Sequence, residues 1–212
     1  MRLFLVRHGE TGWNHQEIFR GHADIPLNEN GVEQARKTAA ALRPLRIAAV
    51  YSSPLGRAIE TARLIAEPHG LEVVVEEGFI DLNYGVWQGR SHEEVKKKYP
   101  ELYHLWLTAP HKVRFEQGEA LSDVRARALT ALEKVLANHK GENVVVVTHR
   151  VVCKVVLCAL LGLDESHFWR IKQDTCAINV LEYSDDHGYI VSRLNDTCHL
   201  RPLTEAMKTV DF

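Results

Sequence analysis

Three places in this sequence carry side chains suited to holding and attacking a phosphoryl group, and each follows an apolar run. Leu3-Phe4-Leu5-Val6 runs into Arg7-His8-Gly9. Ala48-Ala49-Val50-Tyr51-Ser52-Ser53-Pro54 leads to Arg57, and Asn143-Val144-Val145-Val146-Val147-Thr148 ends on His149. A phosphoryl group in transfer carries its charge on the non-bridging oxygens, so the chemistry asks for cationic donors around it and an in-line nucleophile. Arginine is a permanent, forked cation, and a neutral imidazole is a nucleophile. Imidazole starts from a pKa near ~6.5 and nearby guanidinium groups lower it, so His8 is expected to be unprotonated at neutral pH.

One Arg-His pair at a strand end is commonly no more than a solvated terminus; three such ends together need a common explanation. Residues 3 to 6 are apolar without alternation, as in a strand covered on both faces, and Gly9 lets the chain turn at once. Alternation sends Arg7 and His8 to opposite faces unless the strand has ended by then. In an open α/β sheet the carboxyl ends of parallel strands share one crevice, where His8, Arg57 and His149 can converge. Ser53 and Pro54 read as the N-cap and first residue of a helix, placing Arg57 beside free backbone N–H groups.

Leu5-Val6-Arg7-His8-Gly9-Glu10-Thr11, Ser52-Ser53-Pro54-Leu55-Gly56-Arg57-Ala58 and Val147-Thr148-His149 resemble the motifs of the histidine phosphatase superfamily, also called phosphoglycerate-mutase-like. The resemblance runs from Arg2 to about Leu194. It implies a three-layer α/β/α fold with a mostly parallel central sheet and a phosphohistidine enzyme. His8 is then the nucleophile, Arg7 and Arg57 the phosphate clamps, and His149 a second phosphate-pocket histidine. Asn14 and the backbone around Gly21 contact the phosphate, and an acid after the third strand donates a proton. Phe79-Ile80-Asp81-Leu82-Asn83-Tyr84-Gly85-Val86-Trp87-Gln88-Gly89 supplies Asp81 for that role, although the family usually carries glutamate there. Burial raises a carboxyl pKa towards what a general acid needs. Glu76 and Glu77 are alternatives that read more simply as a solvated turn.

At 212 residues, with 45% hydrophobic and 25% charged residues and no Gly/Ser/Pro-rich divider, the chain reads as a single domain, 1–212. Net charge is -2 and the longest basic tract is Lys96-Lys97-Lys98, which points away from nucleic acid and from membrane surfaces. No signal-peptide or membrane-length apolar run is present, so a cytoplasmic protein is expected. The 4 cysteines form no C-x-x-C pair and read as reduced thiols. The 12 histidines show no ligand spacing, so neither a metal nor another cofactor is expected.

Along the rest of the chain, Trp13 to Leu27 has no period and reads as a loop rimming the pocket. Helices are expected at about Glu29 to Leu42, capped by Asn28 or Asn30, from Ser91 to Leu107 with a capping box at Ser91 and Glu94 and a break or kink at Pro100, from after the loop Ala109 to Glu119 as far as about Ala137, and from Val151 to Leu161. Leu71 to Val75 reads as a short strand; Ala177 to Tyr183 and Tyr189 to Leu194 read as a hairpin, one strand lying antiparallel at the sheet edge.

Mutases of the resembled family carry extra segments over the pocket, and the 67 residues between Asp81 and His149 suit its shorter phosphatases. Thr108 to Phe115, Gly118-Glu119 and Leu194 to Leu200 look like segments of its metal-independent phosphoserine phosphatases, which are dimers. That puts L-phosphoserine first among small phosphomonoesters, ahead of 3-phosphoglycerate. A bisphosphoglycerate-dependent mutase and a non-catalytic phosphate-binding module are the alternatives. The chain departs from that subgroup at Tyr84, where a histidine is usual, and at Arg20, where an uncharged rim residue is usual; Arg20 keeps an anionic substrate in view.

Overall fold

The computed structural model describes residues 1–14 and 16–200. In chain order the principal elements are β1 Arg2–Arg7, α1 Glu29–Leu42, β2 Ala49–Ser52, α2 Gly56–Ala66, β3 Val73–Val75, α3 His92–Lys98, α4 Pro100–Thr108, α5 Leu121–Asn138, β4 Asn143–Thr148, α6 Arg150–Leu160, β5 Ile178–Ser184 and β6 Gly188–Asp196. The strands form one sheet in the order β3-β2-β4-β1-β5-β6.

Alternate side chains of β1 and β4 enter two different cores, which is why both strands are apolar throughout. Leu3, Leu5, Val144 and Val146 pack on the side of α5 and α6, against Val124, Ala128, Val152 and Val155. Phe4, Val6, Val145 and Val147 pack on the opposite side, against Ala39 and Leu42 of α1 and Ala58, Ala62 and Ile65 of α2. Helices therefore cover both faces, giving three layers, α/β/α. β1 and β4 run parallel in a register that pairs Leu3 with Val144 and Arg7 with Thr148. The next residue along each strand is a histidine, so the register alone brings His8 and His149 out side by side.

Local sequence explains most boundaries. Asn28 caps α1, its side chain accepting from the Gly31 N–H. Ser91 and Glu94 form the capping box of α3. Pro100 does more than kink the expected 91–107 helix: it divides it into α3 and α4, because proline offers no N–H for the helical ladder and fits the first turn of the second segment. Three other expectations are corrected. α2 begins at Gly56 with Leu55 at its N-cap, and the Ser53 hydroxyl only closes the preceding turn with the Leu55 N–H at 3.4 Å. The strand expected from Leu71 is shorter, Val73–Val75. The hairpin does extend the sheet, but β5 is antiparallel to β1 and β6 is antiparallel to β5, so the reversed strand is the inner one.

Between β3 and α5 the chain packs an aromatic cluster beneath the site. Tyr84, Trp87 and Trp106 each meet Phe115 edge-to-face, with ring centroids 5.1, 5.0 and 5.4 Å apart. Such pairs add about 0.5–1.5 kcal/mol each beyond their area. Gly85, at φ +52°, lets this loop lie against the 115–119 turn, where a β-carbon would stand 1.8 Å from the Glu116 carbonyl oxygen.

Candidate active site

β1 ends at Arg7, so His8 lies past the strand and is free of the alternation that would have separated the two side chains. Both are buried, Arg7 at 0% and His8 at 1% exposure. The His8 Nδ1–H donates to the Gly9 carbonyl at 2.6 Å, since a carbonyl can only accept. A neutral His8 then carries its lone pair on Nε2. Its pKa is held well below 6.5, first by burial and then by Arg57, Arg7 and Arg20. Arg7 Nη1 donates to the Gln173 carbonyl at 2.6 Å, which anchors the guanidinium from the far side of the chain.

The His149 ring lies 5.1 Å from that of His8, centroid to centroid. Its Nε2 is 2.7 Å from the Ser53 hydroxyl, and its unpartnered Nδ1 is 3.7 Å from Asp81 Oδ2. Its pKa is also well below 6.5, with burial the largest cause and Arg57 the next. An imidazole that accepts from Ser53 through Nε2 carries its proton on Nδ1, the atom turned towards Asp81.

Asp81 is buried, ion-paired to Arg57 at 3.3 Å, and accepts from the Leu82 N–H at 2.9 Å. Arg57 is fully buried and also donates to the carbonyls of Gly21 and Ala23, both at 2.8 Å, which ties down the loop after β1. The other acids considered lie elsewhere: Glu76 binds the Gly78 N–H and faces Lys134 at 3.7 Å, and Glu77 sits in the 3-10 turn 77–79. Asn14 uses its Oδ1 to accept from the Thr11 N–H and hydroxyl, both 2.9 Å away.

The cleft itself is lined by His8, Ile18, Phe19, Arg20, Asp81, Tyr84, His92, Arg150 and Val151. Of the residues singled out in the sequence, His8, Asp81, Arg20 and Tyr84 line it. His149, Arg7 and Arg57 lie directly behind it, around His8 and Asp81. Asn14 and Gly21 belong to the loop after β1 and are not among the lining residues. Among the described residues no cluster of His, Cys, Asp or Glu is arranged to hold a metal ion, and no helix is long and apolar enough to cross a membrane.

A profile of the Histidine phosphatase superfamily (branch 1) matches residues 3–197. The chain belongs to that superfamily. It is 40% identical over 200 residues to Phosphoserine phosphatase 1 of Hydrogenobacter thermophilus, covering 94% of each chain. It is 29% identical over 204 residues to the probable phosphoglycerate mutase GpmB of Yersinia pestis, covering 94% of this chain and 95% of that one. The solved structure of Bacillus stearothermophilus YhfR superposes with a TM-score of 0.90 at 31% identity, over 94% of this chain and 99% of that one. This histidine phosphatase is thus a phosphoric monoester hydrolase with the superfamily's three-layer fold.

Three contributors to the histidine phosphatase site were not singled out in the sequence. Arg150 opens α6 immediately after His149, and its place in the first turn of a helix leaving a parallel strand was the available signal. His92 stacks on Phe19 at 4.2 Å and is the first residue of α3, where the sequence shows only the capping box of Ser91 and Glu94. Arg127, on α5, donates to the carbonyls of Gly78, Ile80 and Asp81 at 3.0, 2.5 and 2.9 Å and pairs with Glu119 at 2.8 Å. Nothing in its local sequence marks it out, because its role is to position a loop 46 residues away.

Proposed function

We propose that this histidine phosphatase hydrolyses a small phosphomonoester in two steps through a phosphohistidine on His8, with L-phosphoserine the leading substrate. The observation that carries the reading is the His8 Nδ1–H bond to the Gly9 carbonyl, which leaves the Nε2 lone pair available in a cleft backed by two buried arginines and a second histidine. Nε2 attacks phosphorus as the P–O ester bond breaks, and the departing oxygen takes the proton of Asp81, which enters this step as the carboxylic acid and leaves it as the carboxylate paired with Arg57. Asp81 then takes a proton from water, the hydroxide forms a new P–O bond, and the P–N bond electrons return to Nε2. Arg7, Arg57 and the His149 Nδ1–H stabilise the charge on the non-bridging oxygens, with Asn14 and the Gly21 backbone holding the phosphate from the adjoining loop.

L-phosphoserine is favoured by the 40% identity to a protein named phosphoserine phosphatase. A bisphosphoglycerate-dependent mutase is the second reading, and the likeness to a probable phosphoglycerate mutase is its support. A cytoplasmic homodimer, working without a metal, completes the proposal; the buried thiols of Cys153, Cys158 and Cys176 agree with a reducing compartment. The test is rapid quench with 32P-labelled phosphoserine. An acid-labile, base-stable adduct lost in His8→Ala, together with phosphate release that needs no bisphosphoglycerate, is the expected outcome. Phosphate on another residue would remove the proposal's centre, and isomerase activity primed by bisphosphoglycerate would favour the mutase.

A further inference from the structure

We propose that Arg150 and Arg20 form a second anion subsite beside the phosphate pocket, so that the favoured substrates are phosphomonoesters bearing a further negatively charged group, a carboxylate or a second phosphate. This rests on the phosphatase reading above and narrows its substrate class.

Arg7 and Arg57 are fully buried behind His8 and are held by backbone carbonyls, Gln173 for one and Gly21 and Ala23 for the other. Arg20 and Arg150 instead contribute to the cleft wall itself, together with Ile18, Phe19, Tyr84 and His92. They come from separate elements, Arg20 from the loop after β1 and Arg150 from the first residue of α6. The lining contains one carboxylate, Asp81, and it is committed to Arg57 at 3.3 Å.

Two guanidinium groups therefore share this wall with one carboxylate among the described lining residues, and that carboxylate, Asp81, is paired with Arg57. Burial first, then repulsion from Arg7, Arg150 and Arg57, only partly offset by Asp81, lowers the Arg20 pKa to about 9, which still leaves it cationic at neutral pH. The same crowding by Arg150 and Arg20 adds to burial in lowering the pKa of His92, keeping that ring neutral. Arg150 and Tyr84 line the same cleft, and the buried Tyr84 hydroxyl, its pKa raised to about 12 chiefly by burial, stays protonated as a neutral neighbour of the guanidinium. Tyr84 is thereby placed as a positioning residue beside Arg150. An anionic group of the substrate relieves the repulsion and receives charge-assisted hydrogen bonds from two forked donors. A neutral or cationic substituent at that end gains neither.

The experiment compares kcat/KM for phosphoserine, 3-phosphoglycerate and propane-1,3-diol bisphosphate with that for phosphoethanolamine, glycerol 1-phosphate and phenyl phosphate. The wild type is expected to prefer the first group. Preference for the acids within it assigns the subsite to carboxylate, and preference for the bisphosphate assigns it to phosphate. Arg150→Gln is expected to reduce kcat/KM for the favoured anions by about thirtyfold, the scale of one charge-assisted hydrogen bond, chiefly through KM. Its loss on phenyl phosphate should be at least about tenfold smaller. Arg150→Lys should recover part of the loss, and Tyr84→Phe should raise KM for the same substrates with kcat retained. Should Arg150→Gln fail to fold by circular dichroism, Arg20→Gln reads the same ratio. Equal losses across both substrate groups, or a wild type that turns over phenyl phosphate without favouring the anionic group, would overturn the subsite alone. Absence of both phosphohistidine and phenyl phosphate turnover would overturn the phosphatase reading beneath it.

Discussion

At the scale of single residues, the proposed chemistry depends on keeping an imidazole neutral among cations. His8 is desolvated and faces Arg57, Arg7 and Arg20, all of which disfavour its protonated form. The acid limb of kcat/KM, which reports the free enzyme, is therefore expected well below pH 6.5, with activity lost as pH falls through that depressed value. Arg57→Ala should move the limb upwards by removing the largest of the charge effects, and an unmoved limb would assign it to another group. Asp81 lies beside Arg57 and His149 at the pocket wall, so Asp81→Asn should reduce kcat by ~100-fold or more for alkyl phosphates. The same variant should lose far less on p-nitrophenyl phosphate, whose leaving group departs without a proton. Similar losses on the two substrates would place the proton donor elsewhere.

At the scale of elements, the loop bearing Asp81 has little regular structure of its own and is held from outside. Arg127 reaches from α5 to the carbonyls of Gly78, Ile80 and Asp81, while Glu119 fixes Arg127 and also accepts from the Asn83 N–H at 2.8 Å. Removing a hydrogen-bonded charge of this kind costs about 2 kcal/mol. Arg127→Ala is expected to lower Tm by roughly 4–8 °C in a chain of this size, readable by thermal unfolding. The variant should also lose kcat preferentially on poor leaving groups, because the acid is no longer held against the pocket. Gly85→Ala tests the other side of the same loop. The left-handed φ and the 1.8 Å approach to the Glu116 carbonyl leave no room for a β-carbon, and a destabilisation above about 2 kcal/mol is expected by denaturant titration.

At the scale of the whole molecule, burying two neutral histidines couples stability to pH. In the unfolded chain His8 and His149 bind protons below about pH 6.5, whereas in the folded protein both pKa values lie well below that. Between those values the unfolded state holds more protons, so stability falls as pH is lowered, by at most about 1.4 kcal/mol per pH unit for each histidine. Unfolding free energies from pH 7 to 5 should show this slope, to which His69, His92 and His199 add in the same direction, and His149→Gln should reduce it by one histidine's share. A slope unchanged by that substitution would trace the effect to other groups. Catalysis is also expected to persist in EDTA, since the electrostatic work is assigned to arginines; activity lost in chelator and restored by one divalent ion would reassign it.

The ends of β1 and β4, the buried character of both strands and the α/β class were legible from the sequence because these are local properties. Unbroken apolar runs, a glycine where the chain turns and helix caps such as Asn28 and Ser91 depend on near neighbours. So did the candidacy of His8, Arg57 and His149, since each stands at, or just after, a readable strand end. The sequence put the start of α2 at Ser53-Pro54 and the reversed strand at the sheet edge, both corrected by the structure, and left a break or a kink open at Pro100. Pairing and cap choice there depend on which distant segment wins the contact. The same reason hid Arg127, which acts on a loop of separate elements, and Arg150, whose meaning comes from lining one cleft with Arg20 and Tyr84. Residue types were written in the chain, but only the tertiary structure decided which charges face one another, because their spacing is set by packing between separate elements.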